Sequence, residues 1–152
     1  MMRKIKFRGK DRDGNWVYGY FVYKETIFGK RAIIIQDFIP CIDDINENKI
    51  INFEVDKWRQ VIPETVGQFT GLYDKNNKEI YEGDIVKYYV LTLKDYYKIG
   101  VIKFERGSFY IEGIKEWIAD DVSVNELPFF SSRNLEVIGN VYDNPGLLEE
   151  IE

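Results

Sequence analysis

The stretch that most constrains this fold runs from Val66 to Val86. Val66-Gly67-Gln68-Phe69-Thr70-Gly71-Leu72-Tyr73 is followed by the polar Asp74-Lys75-Asn76-Asn77-Lys78, then by Glu79-Ile80-Tyr81-Glu82-Gly83-Asp84-Ile85-Val86. A short apolar run, a turn signal, a second short run and a Gly-Asp break are the punctuation of small antiparallel β structures, and they are too closely spaced for a helix.

The same grammar recurs along the chain. Residues 3 to 8 alternate, with Ile5 and Phe7 on one side and Lys4, Lys6 and Arg8 on the other, which is the period of a half-buried strand. Asp13-Gly14 then supplies a hairpin turn, because both residues accept positive φ. The partner strand, Asn15 to Tyr23, sets Trp16, Tyr18, Tyr20 and Val22 on one face and Val17, Gly19, Phe21 and Tyr23 on the other, so both faces call for cover. The β-branched run Ala32-Ile33-Ile34-Ile35 predicts a buried strand over Arg31 to Ile39, ended by Pro40 and the polar stretch Asp43 to Asn48. Lys49 to Val55 is the expected return strand. Ile85 to Leu93, Tyr97 to Glu105 and Ser108 to Glu112, separated by Gly-containing breaks, point to a small antiparallel barrel. Val122 to Leu127 reads as a helical turn and Leu135 to Tyr142 as the closing strand, where Gly139 signals a bulge or a close backbone approach. Asn144-Pro145 reads as the cap and first position of a last helical turn.

Phe7-x-Gly9, a turn and Val17-Tyr18-Gly19 echo Phe69-x-Gly71, a turn and Ile80-Tyr81-x-Gly83. The loops differ in length, which argues for a shared hairpin grammar rather than a duplicated domain.

The stretch from Val66 to Val86 does not stand alone. Together with Ile5-Lys6-Phe7-Arg8-Gly9-Lys10, Trp16-Val17-Tyr18-Gly19-Tyr20, Val61-Ile62-Pro63-Glu64-Thr65 and Val137-Ile138-Gly139-Asn140-Val141-Tyr142-Asp143-Asn144-Pro145, it resembles the YopX-like proteins of phages and prophages over nearly the whole chain. That family has no established activity. The resemblance implies phage or prophage origin and a mostly β protein with little helix. An N-terminal antiparallel sheet of hairpins, residues 1–65, is expected to pack on a C-terminal small barrel of the Src-homology-3 (SH3) type, residues 66–152, as one compact unit. Gly67, Phe69, Gly71, Tyr81, Gly83 and Asp84 carry the signature and are read as structural. Asn77 stands where the family often has Gly, and Asn tolerates the positive φ such a turn needs. Thr26 to Trp58 and Leu91 to Lys98 match least, and a partner-specific surface is expected there.

Composition removes much chemistry. There is no histidine among the 152 residues, so Ser-His and Cys-His nucleophile pairs, histidine metal sites and histidine acid–base catalysis are excluded. The single cysteine, Cys41, sits between Pro40 and Ile42 and reads as a small buried hydrophobe. Gly29-Lys30 lacks the flanking residues of a phosphate-binding loop. Two acidic clusters remain, Asp37 with Asp43 and Asp44, and Glu79 with Glu82 and Asp84, but neither has a metal-loop spacing. The carboxylate of Asp84 is expected to accept backbone N–H bonds and hold the turn into the next strand. No catalytic residue, metal ligand or cofactor is assigned.

Binding is the remaining reading. The net charge of −5 is uneven: from Glu112 to Glu152 ten acidic residues stand against two basic ones, leaving 19 basic and 16 acidic in the first 111. Lys4, Lys6 and Arg8 beside Trp16, Tyr18 and Tyr20 make a basic, aromatic hairpin suited to single-stranded nucleic acid. The same rings suit a protein interface, as do Tyr96 and Tyr97 beside the loop at Leu91 to Lys94. The expectation is a cytoplasmic, non-enzymatic accessory protein that binds a protein partner or itself, with nucleic acid as the alternative and no membrane.

Overall fold

The computed structural model describes residues 4–27, 29–45, 48–89, 97–113 and 132–151. In chain order its strands are β1 (Phe7–Lys10), β2 (Trp16–Thr26), β3 (Gly29–Ile45), β4 (Asn48–Gln60), β5 (Gly67–Tyr73), β6 (Glu79–Tyr81), β7 (Asp84–Tyr89), β8 (Tyr97–Glu105), β9 (Ser108–Glu112) and β10 (Leu135–Asn140). They form two antiparallel sheets. The backbone divides into two compact units, one holding Ile5–Gln68 and the other Phe69–Glu152.

The first unit is built on the alternation of β2. Val17 and Phe21 turn inward with Ala32, Ile34, Val61 and Val66 to form its core, and Phe7 packs on Phe21 with ring centroids 5.4 Å apart. β2 is hydrogen-bonded to β1 on one side and β3 on the other, and β4 closes on β3. Gly19 is obligatory here, because a Cβ at that position would lie 2.1 Å from the carbonyl oxygen of Ile35. After β4 the 3-10 turn Pro63–Thr65 brings Thr65 under Lys10, whose N–H donates to Thr65 Oγ1 at 2.8 Å. Gly67 then pairs with Arg8 and starts β5.

The β3–β4 hairpin is longer than the sequence signals. Pro40 and the polar residues after it do not end the strand, since Pro40 pairs with Phe53 and the ladder runs on to Ile45 opposite Asn48. From Asp37 onward β3 has β4 on one side and no further strand on the other among the described residues. Proline lacks an N–H, and a free strand edge does not require one.

The second unit buries both faces of its four-stranded sheet, in the order β10-β7-β8-β9. Ile80, Val86, Ile102, Phe109, Ile111, Leu135 and Val137 form the core on one face. Ile85, Ile99 and Val101 form the other, covered by Ile138, Val141, Leu147 and Leu148. Consecutive Ile85 and Val86 are both completely buried, as adjacent residues must be in a strand covered on each side. The last two covering residues belong to the 3-10 helix Pro145–Ile151, where Leu147 N–H donates to the Asn144 carbonyl. Gly139 meets the bulge expectation, since the β10–β7 register shifts between Val137 and Gly139, and the close approach there is by a side chain: a Cβ would fall 2.6 Å from Asn144 Oδ1.

The two hairpins that echo each other in sequence share one turn. In the first, Asp11 Oδ1 accepts from the N–H groups of Asp13 and Asn15 at 3.0 and 2.9 Å, and Gly14 takes φ 83°. In the second, Asp74 Oδ1 accepts from Asn76 and Lys78 at 2.8 and 2.9 Å, and Asn77 takes φ 63°. Each turn spans five residues between a closing strand pair, Lys10 with Trp16 and Tyr73 with Glu79. The difference in loop length therefore lies outside the turn, in the register shift of β5 against β6 between Phe69 and Tyr73, where Gly71 adopts φ 89°.

The mostly β expectation holds. The SH3-type barrel is not confirmed: among the described residues there is no closed barrel. β6 lasts three residues and pairs with β5, whereas β7 starts after Glu82-Gly83 and pairs with β10 and β8. Gly83 anchors that break, its N–H donating to Ile102 O and its carbonyl accepting from Val141 N–H. Asp84, 1% exposed, accepts the N–H of Tyr81 at 2.7 Å, so its carboxylate holds the turn as expected. Phe69 and Tyr81 stack beside it at 5.4 Å. The expected helical turn at Val122 to Leu127 and the loop at Leu91 to Lys94 lie outside the described residues.

Asp74 has a further bond, accepting the N–H of Val137 at 2.9 Å through Oδ2, and so joins the second turn to β10. Removing this carboxylate strands three backbone donors, two of them in a turn and one buried in the sheet, at about 1–3 kcal/mol for each buried donor left unpaired. Asp74→Ala is expected to cost roughly 2–4 kcal/mol in urea unfolding. Equal midpoints for Asp74→Ala and the unmodified chain would show that the turn stands without it.

Candidate functional site

The outward face of β2 carries Trp16, Tyr18, Tyr20 and Val22, and antiparallel pairing sets β1 beside it with Arg8 opposite Tyr18 and Lys10 opposite Trp16. Side chains on opposite and diagonal positions of such a ladder reach one another. Lys6 Nζ lies 5.4 Å from the Tyr18 ring centroid, the Arg8 guanidinium 4.6 Å from Trp16, and Lys10 Nζ 5.5 Å from Trp16. The structure thus brings together Lys6, Arg8, Trp16 and Tyr18, as the sequence suggested, and adds Lys10. Lys4 lies exposed ahead of β1. Arg8 is only 6% exposed, so it is a cation lodged under Trp16 and not a surface contact.

The face continues across the sheet. Tyr20 pairs with Ile35 and Ile35 with Trp58; Val22 pairs with Ile33 and Ile33 with Gln60; Lys24 pairs with Arg31. Tyr20 is 54% and Trp58 56% exposed, and the Tyr20 ring meets Phe38 at 5.4 Å. An apolar groove of about 290 Å³ lies along β3 and β4, lined by Arg31, Ile33, Ile35, Val55, Trp58 and Gln60. Trp58 closes the stretch from Thr26 in which a partner-specific surface is expected, but the sequence does not single it out, because the expected return strand stops at Val55 whereas β4 runs on to Gln60.

On the second unit, Tyr97 is 41% exposed and pairs with Tyr89, with ring centroids 5.9 Å apart and Lys87 Nζ 4.3 Å from the Tyr97 ring. Tyr96 lies outside the described residues. Next to Tyr89, Glu136 Oε2 accepts from the Tyr89 hydroxyl at 2.5 Å and pairs with Lys75 Nζ at 2.7 Å, while Lys75 Nζ sits 4.0 Å from the Tyr89 ring. The Lys75 hydrogen bond, then that of Tyr89, holds the Glu136 carboxyl below its ordinary range. The same bond to Glu136 raises the Lys75 ammonium. In the first unit the Asn15 N–H, foremost among its donors, lowers the Asp11 carboxyl.

The acidic clusters are engaged in local structure. Asp37 Oδ1 accepts from Phe38 N–H at 2.9 Å, and Glu79 Oε2 accepts from the Tyr81 hydroxyl at 2.6 Å. The side chains of Cys41, Asp43 and Asp44 lie outside the description. Among the described residues no group of three or more His, Cys, Asp or Glu is placed to hold a metal ion, and no helix is long and apolar enough to cross a membrane.

A family model described as YopX protein matches residues 6–149. The chain belongs to the YopX family. Its fold resembles the crystal structure of protein EF1440 from Enterococcus faecalis, with a TM-score of 0.59 and 24% sequence identity, covering 97% of this chain and 99% of that one. At that identity the likeness speaks for the fold alone. No curated protein matches the chain.

The Lys75–Glu136–Tyr89 cluster gives a pH signature. A carboxyl lowered in the folded state contributes stability that is present above its unfolded value, 4.5, and is lost as pH falls through the folded value. The difference in melting temperature between the unmodified chain and Glu136→Gln is therefore expected to be largest near neutrality and to shrink as pH falls below the ordinary carboxyl value of 4.5. A difference that stays constant over that fall would show that the cluster adds no proton-linked stability.

Proposed function

We propose that this chain is a phage- or prophage-type accessory protein of the cytoplasm that acts by binding, through the outward face of its N-terminal sheet, a protein partner or a second copy of itself. The observation that carries this reading is the exposure of Tyr18, Tyr20, Val22 and Trp58 on one face. Tyrosine, tryptophan and arginine are the residues that dominate protein interfaces, and contiguous exposed apolar surface marks interaction sites. The absence of histidine supports binding over catalysis, and a single cysteine suits a reducing compartment.

A nucleic-acid reading draws on Lys6, Arg8 and Lys10 beside Trp16 and Tyr18. Base stacking, however, needs an open ring face. Lys6 lies over one face of Tyr18, and Arg8, 6% exposed beneath Trp16, offers no guanidinium to a phosphate. With one of the three cations buried, the surface favours protein.

Size-exclusion chromatography at low salt with light scattering and the ratio of absorbance at 260 and 280 nm tests both. The expected result is a clean protein ratio and an associated species that dissociates in the double variant Tyr18→Ser, Tyr20→Ser at unchanged melting temperature, with each anchor worth about 2 kcal/mol or more. A raised ratio that falls with added salt and disappears in Lys6→Glu, Lys10→Glu would overturn it in favour of phosphate binding.

A further inference from the structure

The groove along β3 and β4 has a polarity. In register order its lining runs from Val55 through Trp58 and Ile35, then Gln60 and Ile33, to Arg31. Val55 to Gln60 spans about 16 Å at roughly 3.3 Å per strand residue. One end is apolar and the other is cationic.

The cationic end is unusual within this sheet. Lys24 and Arg31 stand directly opposite each other across β2 and β3. Like charges so placed repel. The next pair along the ladder, Glu25 with Lys30, is an ion pair at 3.5 Å. Neither Lys24 nor Arg31 has an ion-pair partner among the described residues. An anion between them would relieve the repulsion, and the guanidinium can take a carboxylate through two parallel N–H bonds.

From this we infer that the groove takes the carboxyl terminus of a partner protein, an extended segment with apolar side chains whose terminal carboxylate sits between Lys24 and Arg31. The inference rests on the reading of this sheet face as protein-binding. Ile33, Ile35, Val55 and Trp58 receive the apolar side chains. Gln60, in the wall between the apolar floor and the cations, offers an amide to the peptide backbone. A fatty acid has no group to meet that amide, and an isolated phosphate has nothing to fill the apolar floor.

The test is a calorimetric titration of the full chain with an acetylated pentapeptide of alternating serine and valine ending in a free carboxylate, beside the same peptide with a terminal amide. Lys24 and Arg31 are exposed, so Lys24→Gln, Arg31→Gln should fold normally, and its melting temperature verifies this. Saturable binding of the acid is expected, weakened roughly tenfold or more both by amidation and by the double variant, as for loss of a charge-assisted hydrogen bond. No binding of the acid, equal binding of acid and amide, or binding unchanged in the double variant would each overturn the carboxylate site. If in those cases Tyr18→Ser, Tyr20→Ser still abolishes association, the wider face stands without this groove; if it does not, both readings fall.

Discussion

A carboxylate that accepts backbone N–H groups is the interaction on which the rest of this molecule depends. Asp74 holds its own turn through Oδ1 and the N–H of Val137 through Oδ2, so one side chain sets the second hairpin and ties it to β10, 63 residues away in sequence. Lys75 reinforces the join with its N–H to the Leu135 carbonyl and its ammonium to Glu136. β10 in turn supplies Leu135 and Val137 to one core and Ile138 to the other. Strand alternation makes this double service possible, because Val137 and Ile138 face opposite sides of the sheet, and the register shifts only between Val137 and Gly139. The sheet can therefore be covered on both faces by a chain with almost no helix.

The first unit solves a different problem. Its inner face is a modest cluster around Val17, Ala32, Ile34 and Val61, and its outer face keeps aromatic rings in solvent. Cations on β1 and just before it lie against two of those rings, which lowers the cost of exposing them while leaving the edges available for contact. A surface of this kind keeps its shape before a partner arrives, so little ordering is needed on binding.

Much of this was legible in the residues. Period-two alternation placed Trp16, Tyr18 and Tyr20 on one face, glycine marked the bulge in β10, and the Asn144-Pro145 cap marked the last helix. What escaped had physical causes. Asp11 and Asp74 look like ordinary turn residues, and only the spacing to donors two and four positions on distinguishes them. Pro40 looks like a stop, and it is one only where a strand needs a neighbour on its N–H side. The apposition of Lys24 and Arg31 depends on hairpin register, which periodicity alone does not give. The small barrel was read from short strands with Gly-containing breaks and from the family resemblance, whereas a barrel depends on which strands pair.

The repeated five-residue turn also bears on how the chain folds. Each turn draws its bonds from within five residues, so it can form before distant strands meet, whereas the β7–β10 ladder must wait for a long loop to close. Two hairpins can thus nucleate independently from their own aspartates, leaving the pairing of β10 as the late step.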